Sequence, residues 1–288
     1  MTRGASVVFD AIGTRWTVDT VDPLEPALAG RISARVAAFD ATYSRFRADS
    51  LVSQMGRRAG RYRFPTGDEP LFGLYRQLYE ATDGRVTPLV GQVLDHLGYD
   101  PLYRLRRNAG VVVAPAWDDV LTVNETVIAA REPVVLDFGA AGKGYLVDRV
   151  ADLLVEAGIT DFVIDASGDL LHRGSAGDRV GLEDPSDPTR IVGIANLANG
   201  ALCASAANRR RWGDELHHIV DATAGEPVNG VVASWVTHPS CAVADGLATA
   251  LFLTDPDRLA RHFTFAYVRL LADGRAQLST NFDGELFS

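Results

Sequence analysis

The run LDFGAAGKGYLVD at residues 136–148 constrains this chain more than any other stretch of it. Residues 133–138 read as an apolar strand that delivers the Asp137 carboxylate into a loop of glycines and alanines, with Lys143 where the next helix begins. That helix is expected to run to Gly158, with Leu146, Val147, Val150, Leu153 and Leu154 as its buried stripe. Small residues let a backbone approach a ligand closely. A helix start offers unpaired N–H groups and partial positive charge, to which Lys143 adds a full one. The segment therefore suits a phosphate or pyrophosphate, although a tight strand–helix connection with a surface lysine has the same pattern. It is not a Walker loop, because Gly144 follows the lysine, and it lacks the G-x-G-x-x-G order of a dinucleotide turn.

Helical and strand patterns alternate along the rest of the chain. Two short strands are expected over 6–18 around a turn at Gly13, and helices over 27–42 and 70–82, the latter stopped by Asp83-Gly84. Residues 111–115, 120–123 and 162–165 read as further strands. Asp273-Gly274 between 265–271 and 276–282 reads as a hairpin. Asp184 to Pro188 is the most loop-like stretch. With no repeat or linker, the expectation is an α+β fold, mixed sheets with packed helices, in one compact unit over 1–288, of one lobe or two.

Composition excludes several functions. A net charge of −9 argues against a nucleic-acid binder, while leaving room for a small phosphate ligand held by a local cation. No run of about 18 apolar residues occurs, so no membrane span is expected. The N-terminal stretch reads as a strand rather than an export signal. Cys203 and Cys241 make neither a disulfide framework nor a zinc cluster, so they read as buried thiols of a cytoplasmic protein.

Two more segments could carry chemistry. In 240–253, if helical, Asp245 and Thr249 lie one turn apart on one face amid apolar neighbours. A carboxylate there needs a partner, and Asp with Thr oxygens suits magnesium; a helix cap is the alternative. In HHIVDATAGEPVNG at 217–230, His218 and Asp221 could form an acid/base pair, or simply end a strand before a turn.

Taken in order, these segments resemble the ApbE family of FAD:protein FMN transferases. DFGAAGKGY from Asp137 to Tyr145 is similar to D-L-G-G-I-A-K-G-Y, HIVDATAG from His218 to H-I-I-D-P-x-T-G, and Ala244, Asp245 and Thr249 to A-D-x-x-x-T. IGTRW from Ile12, YSRFRADSLVSQM, TDGRVTPLVG from Thr82, DASGDL from Asp165 and VGLEDP from Val180 resemble M-G-T-x-W, S-T-Y-R-x-D-S-E-L-S, T-G-G-x-F-D-P-T-V-G, N-x-G-G-D-I and G-I-x-D-P.

The resemblance implies a T-fold-like architecture and an enzyme that moves FMN from FAD to a threonine or serine of a partner flavoprotein, releasing AMP. It implies magnesium held by the Ala140 carbonyl, Asp245 and Thr249. Asp137, Lys143 and the backbone near Ile219 would bind FAD, and Ile12, Phe46, Arg85, Val86 and Thr87 would contact its flavin and adenosine parts. His218, oriented by Asp221, and Lys143 would serve the chemistry. The alternatives are a FAD pyrophosphatase and a catalytically silent flavin carrier. The chain departs from the pattern at Phe46 (a tyrosine in the family), Thr87 (an aspartate), Asp165 and Ser167 (Asn and Gly), at Met55-Gly56, where an asparagine is common, and at Ser205-Ala206-Ala207-Asn208, which stands for S-G-D-Y.

Overall fold

A computed structural model describes residues 3–213 and 216–287. Its frame is an eight-stranded sheet whose strands lie side by side in the order in which they occur along the chain, each antiparallel to the next. The strands are β1 (Ala5–Ala11), β2 (Thr14–Thr20), β3 (Phe162–Asp165), β4 (Asp169–Arg173), β5 (Gly200–Ala206), β6 (Val231–His238), β7 (Ala266–Leu271) and β8 (Ala276–Leu278). β1 and β2 are joined by Ile12-Gly13, both at positive φ (44° and 76°), the twist a two-residue hairpin needs. Four long helices complete the frame: α1 (Pro26–Tyr43), α2 (Glu69–Ala81), α3 (Gly142–Glu156) and α4 (Cys241–Ala250). This is the α+β architecture expected from the sequence.

The junction of α3 and α4 positions the site. α4 packs on β5 and β6 and against α2 and α3, which explains why most of its residues are buried. Asp148 of α3 caps it: that carboxylate accepts from the Ser240 hydroxyl (2.8 Å) and from the N–H groups of Cys241 (2.9 Å) and Ala242 (3.0 Å). In return, Asp245 of α4 accepts from the Gly144 N–H at 2.9 Å. Gly144 has to be glycine, because a Cβ there would lie 2.3 Å from the Cys241 carbonyl oxygen and 2.8 Å from the Asp245 Cβ. Neither backbone can yield cheaply. Gly144→Ala is expected to cost about 3 kcal/mol, read as a fall in the midpoint of chemical denaturation.

Several local expectations differ from what is observed. Residues 133–138 form no strand. Their N–H groups go singly to unrelated carbonyls, Val134 to Met55 (3.0 Å) and Asp137 to Pro88 (2.7 Å), so the chain is extended and buried without a ladder. Residues 111–115 are likewise extended but unpaired in any sheet; Ala114 N–H reaches the Ala222 carbonyl at 2.8 Å. The stretch expected as a loop at 184–188 turns a hairpin between strands Asp178–Asp184 and Asp187–Leu197. Both cysteines are free and buried, with their sulfurs 3.4 Å apart. No helix among the described residues is long and apolar enough to cross a membrane.

Candidate active site

A cleft of about 880 Å³ opens where the start of α3, one face of α4, the β1–β2 turn and the chain around 205–220 meet. That volume is ample for a dinucleotide-sized ligand. Among the described residues, four of the seven non-glycine residues at positive φ line it (Ile12, Tyr103, Leu105 and Ser167). Backbone strain concentrated around one cavity is the usual mark of a working surface.

One wall is cationic. Lys143 projects from the first turn of α3, its ammonium 2.8 Å from Asp169 Oδ2 and donating to the Ala166 carbonyl at 3.1 Å. Burial would lower its pKa, but Asp169 and Asp245 outweigh that effect and hold it above the ordinary value. It stays charged. Asp137, at the end of the extended segment before the loop, accepts from the Gly139 N–H (2.7 Å) and from Arg45 Nε (2.5 Å). Burial pushes its carboxyl up, yet Arg45 and that loop N–H together keep it below the usual carboxylate range. Arg45 also reaches Asp95 (2.7 Å) and the Tyr99 carbonyl (2.7 Å), so its direction is fixed.

Asp245 and Thr249 face the same cleft from α4, one turn apart, with Ala140 just ahead of α3. Burial, and then the charge of Asp169, raise the Asp245 carboxyl well above its ordinary pKa. A buried carboxylate that destabilises its own charge, beside a hydroxyl and a main-chain carbonyl, suits a hard cation. Among the described residues no three His, Cys, Asp or Glu side chains gather to hold a metal unaided. The donor set therefore fits magnesium, which takes one or two protein carboxylates and completes its shell with substrate phosphate and water. Thr249 Oγ1 lies 3.4 Å from Ser205 Oγ, which fixes its side.

His218 and Ile219 also line the cleft. His218 Nδ1 is buried and has no hydrogen-bond partner among the described residues. Desolvation, then the charge of Arg210, lower its pKa to about 4, so the ring is neutral at physiological pH. Asp221 does not orient it. Its Oδ1 accepts from Thr223 N–H (2.9 Å), Thr223 Oγ1 (2.6 Å) and Ala224 N–H (3.2 Å), closing the turn of DATAG, and its Oδ2 lies 3.6 Å from Arg85 Nε. Asp221 is also the one residue singled out in the sequence that does not line the cleft. Ile219 lines the cleft, its N–H donating to His217 Nδ1 (3.2 Å) and its carbonyl accepting from Val228 N–H (3.3 Å).

Arg85, Val86 and Thr87 line the cleft near the end of α4, where Arg85 donates to the Leu253 carbonyl at 2.7 Å. Thr87 spends its hydroxyl oxygen on the Leu89 N–H. Ile12 lines the cleft from the β1–β2 turn, and Phe46 stands at the aromatic end. There Phe46 stacks on Tyr103 (5.2 Å, 12°) and Tyr99 on Trp212 (5.4 Å, 19°), with the Arg45 guanidinium 4.3 Å from the Phe46 ring centre.

Sequence reasoning missed Arg45, Asp169 and, apart from Phe46, this aromatic cluster. Asp169 had a signal, since a carboxylate opening an apolar strand requires a cation nearby. Arg45 had none, as its partner Asp137 is 92 residues away.

Comparison with known proteins places the chain in a family. The relatives include the FAD:protein FMN transferases of Rhodobacter capsulatus (29% identity over 227 residues, 74% of this chain and 42% of that one) and Vibrio cholerae (27% over 238 residues, 75% and 70%). The chain thus spans less than half the length of the first of these and more than two thirds of the second. Among solved structures, the ApbE protein of Thermotoga maritima aligns with a TM-score of 0.83 at 20% identity, covering 96% of this chain and 97% of that one. The flavin transferase ApbE of Vibrio cholerae aligns at 0.79 and 23%, with the same coverage. These structures share the fold. Residues 12–267 match the sequence profile of the ApbE family, and with that span of agreement the chain belongs to it.

Proposed function

We propose that this protein transfers FMN from FAD to a serine or threonine hydroxyl of an acceptor protein and releases AMP. One observation carries the reading: Lys143, the Asp245–Thr249 turn and a neutral His218 all line a single cleft that also holds an aromatic wall. That combination serves an anionic diphosphate carrying a flat ring system, with a hydroxyl to be deprotonated beside it.

The bond that breaks joins the FMN phosphorus to the bridging oxygen of the diphosphate, which leaves with AMP; the bond that forms joins the FMN phosphorus to the acceptor oxygen. Anionic phosphate oxygens repel a nucleophile, so the first task is neutralisation. Lys143 supplies a fixed positive charge that Asp169 keeps directed and protonated. Ala140, Asp245 and Thr249 would hold magnesium, which when bound supplies further charge neutralisation at the phosphates. The second task is the acceptor proton. His218, neutral in the free protein, would accept it through a ring nitrogen, help worth about 10²–10⁴-fold in rate. The third is position. Phe46, Tyr99, Tyr103 and Trp212 give the isoalloxazine or adenine faces to stack on, even though the family's S-G-D-Y tyrosine is Asn208 here.

Incubating the protein with FAD, magnesium and a co-expressed flavoprotein, then weighing the flavoprotein, tests the proposal. The expected result is one added FMN on a hydroxyl residue, with matching AMP. AMP formed without any acceptor would make the protein a FAD pyrophosphatase instead.

His218 also sets a pH dependence. With a pKa of about 4 in the free protein, it remains a competent base as pH falls, until protonation removes the lone pair. The acid limb of kcat/KM, which reports the free enzyme, is expected near pH 4 rather than near the ordinary histidine value of 6.5. The same shift stabilises the fold above pH 6.5, an effect lost as pH falls from 6.5 towards 4, where the unfolded chain binds the proton and the folded one does not.

A further inference from the structure

The stretch 101–113 is exposed at every position but one and has no regular secondary structure, yet it is fastened along its length. Leu105 N–H donates to the Gly98 carbonyl (2.8 Å), Asn108 N–H to the His96 carbonyl (2.9 Å), and the Gln92 amide to the Val113 carbonyl (2.9 Å). Arg104 pairs with Asp100, and Arg107 with Glu226. Gly98 and Gly225 admit it closely: a Cβ on the first would meet Arg106 N at 2.3 Å, and on the second the Val112 carbonyl at 2.2 Å.

Apolar side chains on a fastened, solvent-facing segment call for a partner. Five of the ten large apolar side chains exposed among the described residues fall here: Leu102, Tyr103, Leu105, Val111 and Val113. Leu102 is 78% exposed and Val111 60%. Of its three arginines, Arg104 and Arg107 are paired with Asp100 and Glu226, and Arg106 has no ion pair among the described residues, on a chain whose net charge is −9. Its position decides what the partner is. Tyr103 and Leu105 turn inward and line the cleft, so whatever covers Leu102 and Val111 lies beside the cleft mouth.

We propose that residues 101–113 form the docking surface for the acceptor protein, gripping an extended segment that flanks the modified hydroxyl and carries acidic and aliphatic side chains. The inference rests on the transferase reading. It adds a location for acceptor selection and a chemistry for the selected segment. Apolar contacts to Leu102 and Val111 would supply affinity, and Arg106 would favour acidic sequences and reject basic ones.

The test uses a library of 15-residue peptides with a central threonine and randomised flanks, incubated with FAD and magnesium and read by covalent flavin fluorescence. FAD affinity, from flavin fluorescence quenching, is measured separately. Wild-type protein is expected to label peptides enriched at least threefold in Asp or Glu, together with Leu, Val or Ile, near the threonine. L102D/V111D and R106E are each expected to reduce labelling at least tenfold while FAD affinity stays within twofold, since none of the three residues lines the cleft. R106E should shift the preference towards Lys and Arg. Labelling without acidic enrichment, variants that label like wild type, or FAD binding without any peptide labelled would each overturn the proposal. So would a wild-type dimer that L102D/V111D converts to a monomer, because the surface would then join two copies of this chain. Failure to bind FAD at all would strike the transferase reading itself.

Discussion

Asp245→Asn is expected to reduce AMP release from FAD by about 10³-fold or more while leaving the protein folded and, without magnesium, no less stable than wild type. Asparagine keeps an oxygen where Gly144 N–H needs an acceptor 2.9 Å away, so the α3–α4 junction survives. What disappears is a charge that burial and Asp169 both oppose. Removing a charge the fold disfavours relieves the resting protein, which marks a residue retained for ligand rather than for stability. Two measurements separate these effects: AMP by chromatography, and thermal midpoint with and without magnesium plus FAD. Wild type should gain stability from the pair of ligands, and the variant should not. A variant that keeps more than a tenth of the wild-type rate would remove α4 from the metal site.

Lys143→Met should have the opposite stability signature. Asp169 is fully buried, and the Lys143 ammonium at 2.8 Å is its counter-ion. Removing one partner of a buried ion pair typically costs about 3–5 kcal/mol, a fall of roughly 10 °C in the thermal midpoint of a chain this size. Activity should fall about 10³-fold, because a fixed cation at the diphosphate is lost. Since a destabilised protein can be inactive for trivial reasons, the informative variant is the double one. Adding Asp169→Asn removes the orphaned charge and should recover most of the lost midpoint, leaving the rate as low as in the single variant. Recovery of activity along with stability would mean that Lys143 serves only to hold Asp169.

How far the sequence could be read depended on whether its signals were local. α1, α2 and α3 follow from apolar spacing, and the buried stripe Leu146, Val147, Val150, Leu153 and Leu154 faces inward as spacing requires. Residues 133–138 misled for a physical reason. Alternating burial arises there from packing between unrelated loops, and only the destination of each N–H distinguishes that from a strand. At the site, the start of α3 and the Asp245–Thr249 turn were legible because each is contiguous. The pairing of His218 with Asp221 was an inference from proximity in the chain, and the turn chemistry of Asp221 claims that carboxylate first. Arg45 was invisible: its roles as partner of Asp137 and neighbour of Phe46 and Tyr99 exist only once distant segments meet.

Asp137 shows why such distant pairs matter. Its carboxylate closes the loop ahead of α3 by accepting from Gly139 N–H, and Arg45 keeps it ionised against its own burial. The loop that carries Ala140 is thereby held in shape before any ligand arrives. Preorganisation of this kind is what a phosphoryl-transfer site requires, since little besides charge and position is available to lower the barrier.

On the proposed function, Ala140, Asp245 and Thr249 would hold a divalent ion and Lys143 would meet the diphosphate of FAD. Crystals grown with FAD and manganese in place of magnesium, recorded at a wavelength where manganese scatters anomalously, address it directly. One strong anomalous peak is expected beside Asp245, Thr249 and a FAD phosphate oxygen, with the Lys143 ammonium against the same diphosphate. A peak elsewhere, or FAD bound with its phosphates away from Lys143, would contradict it.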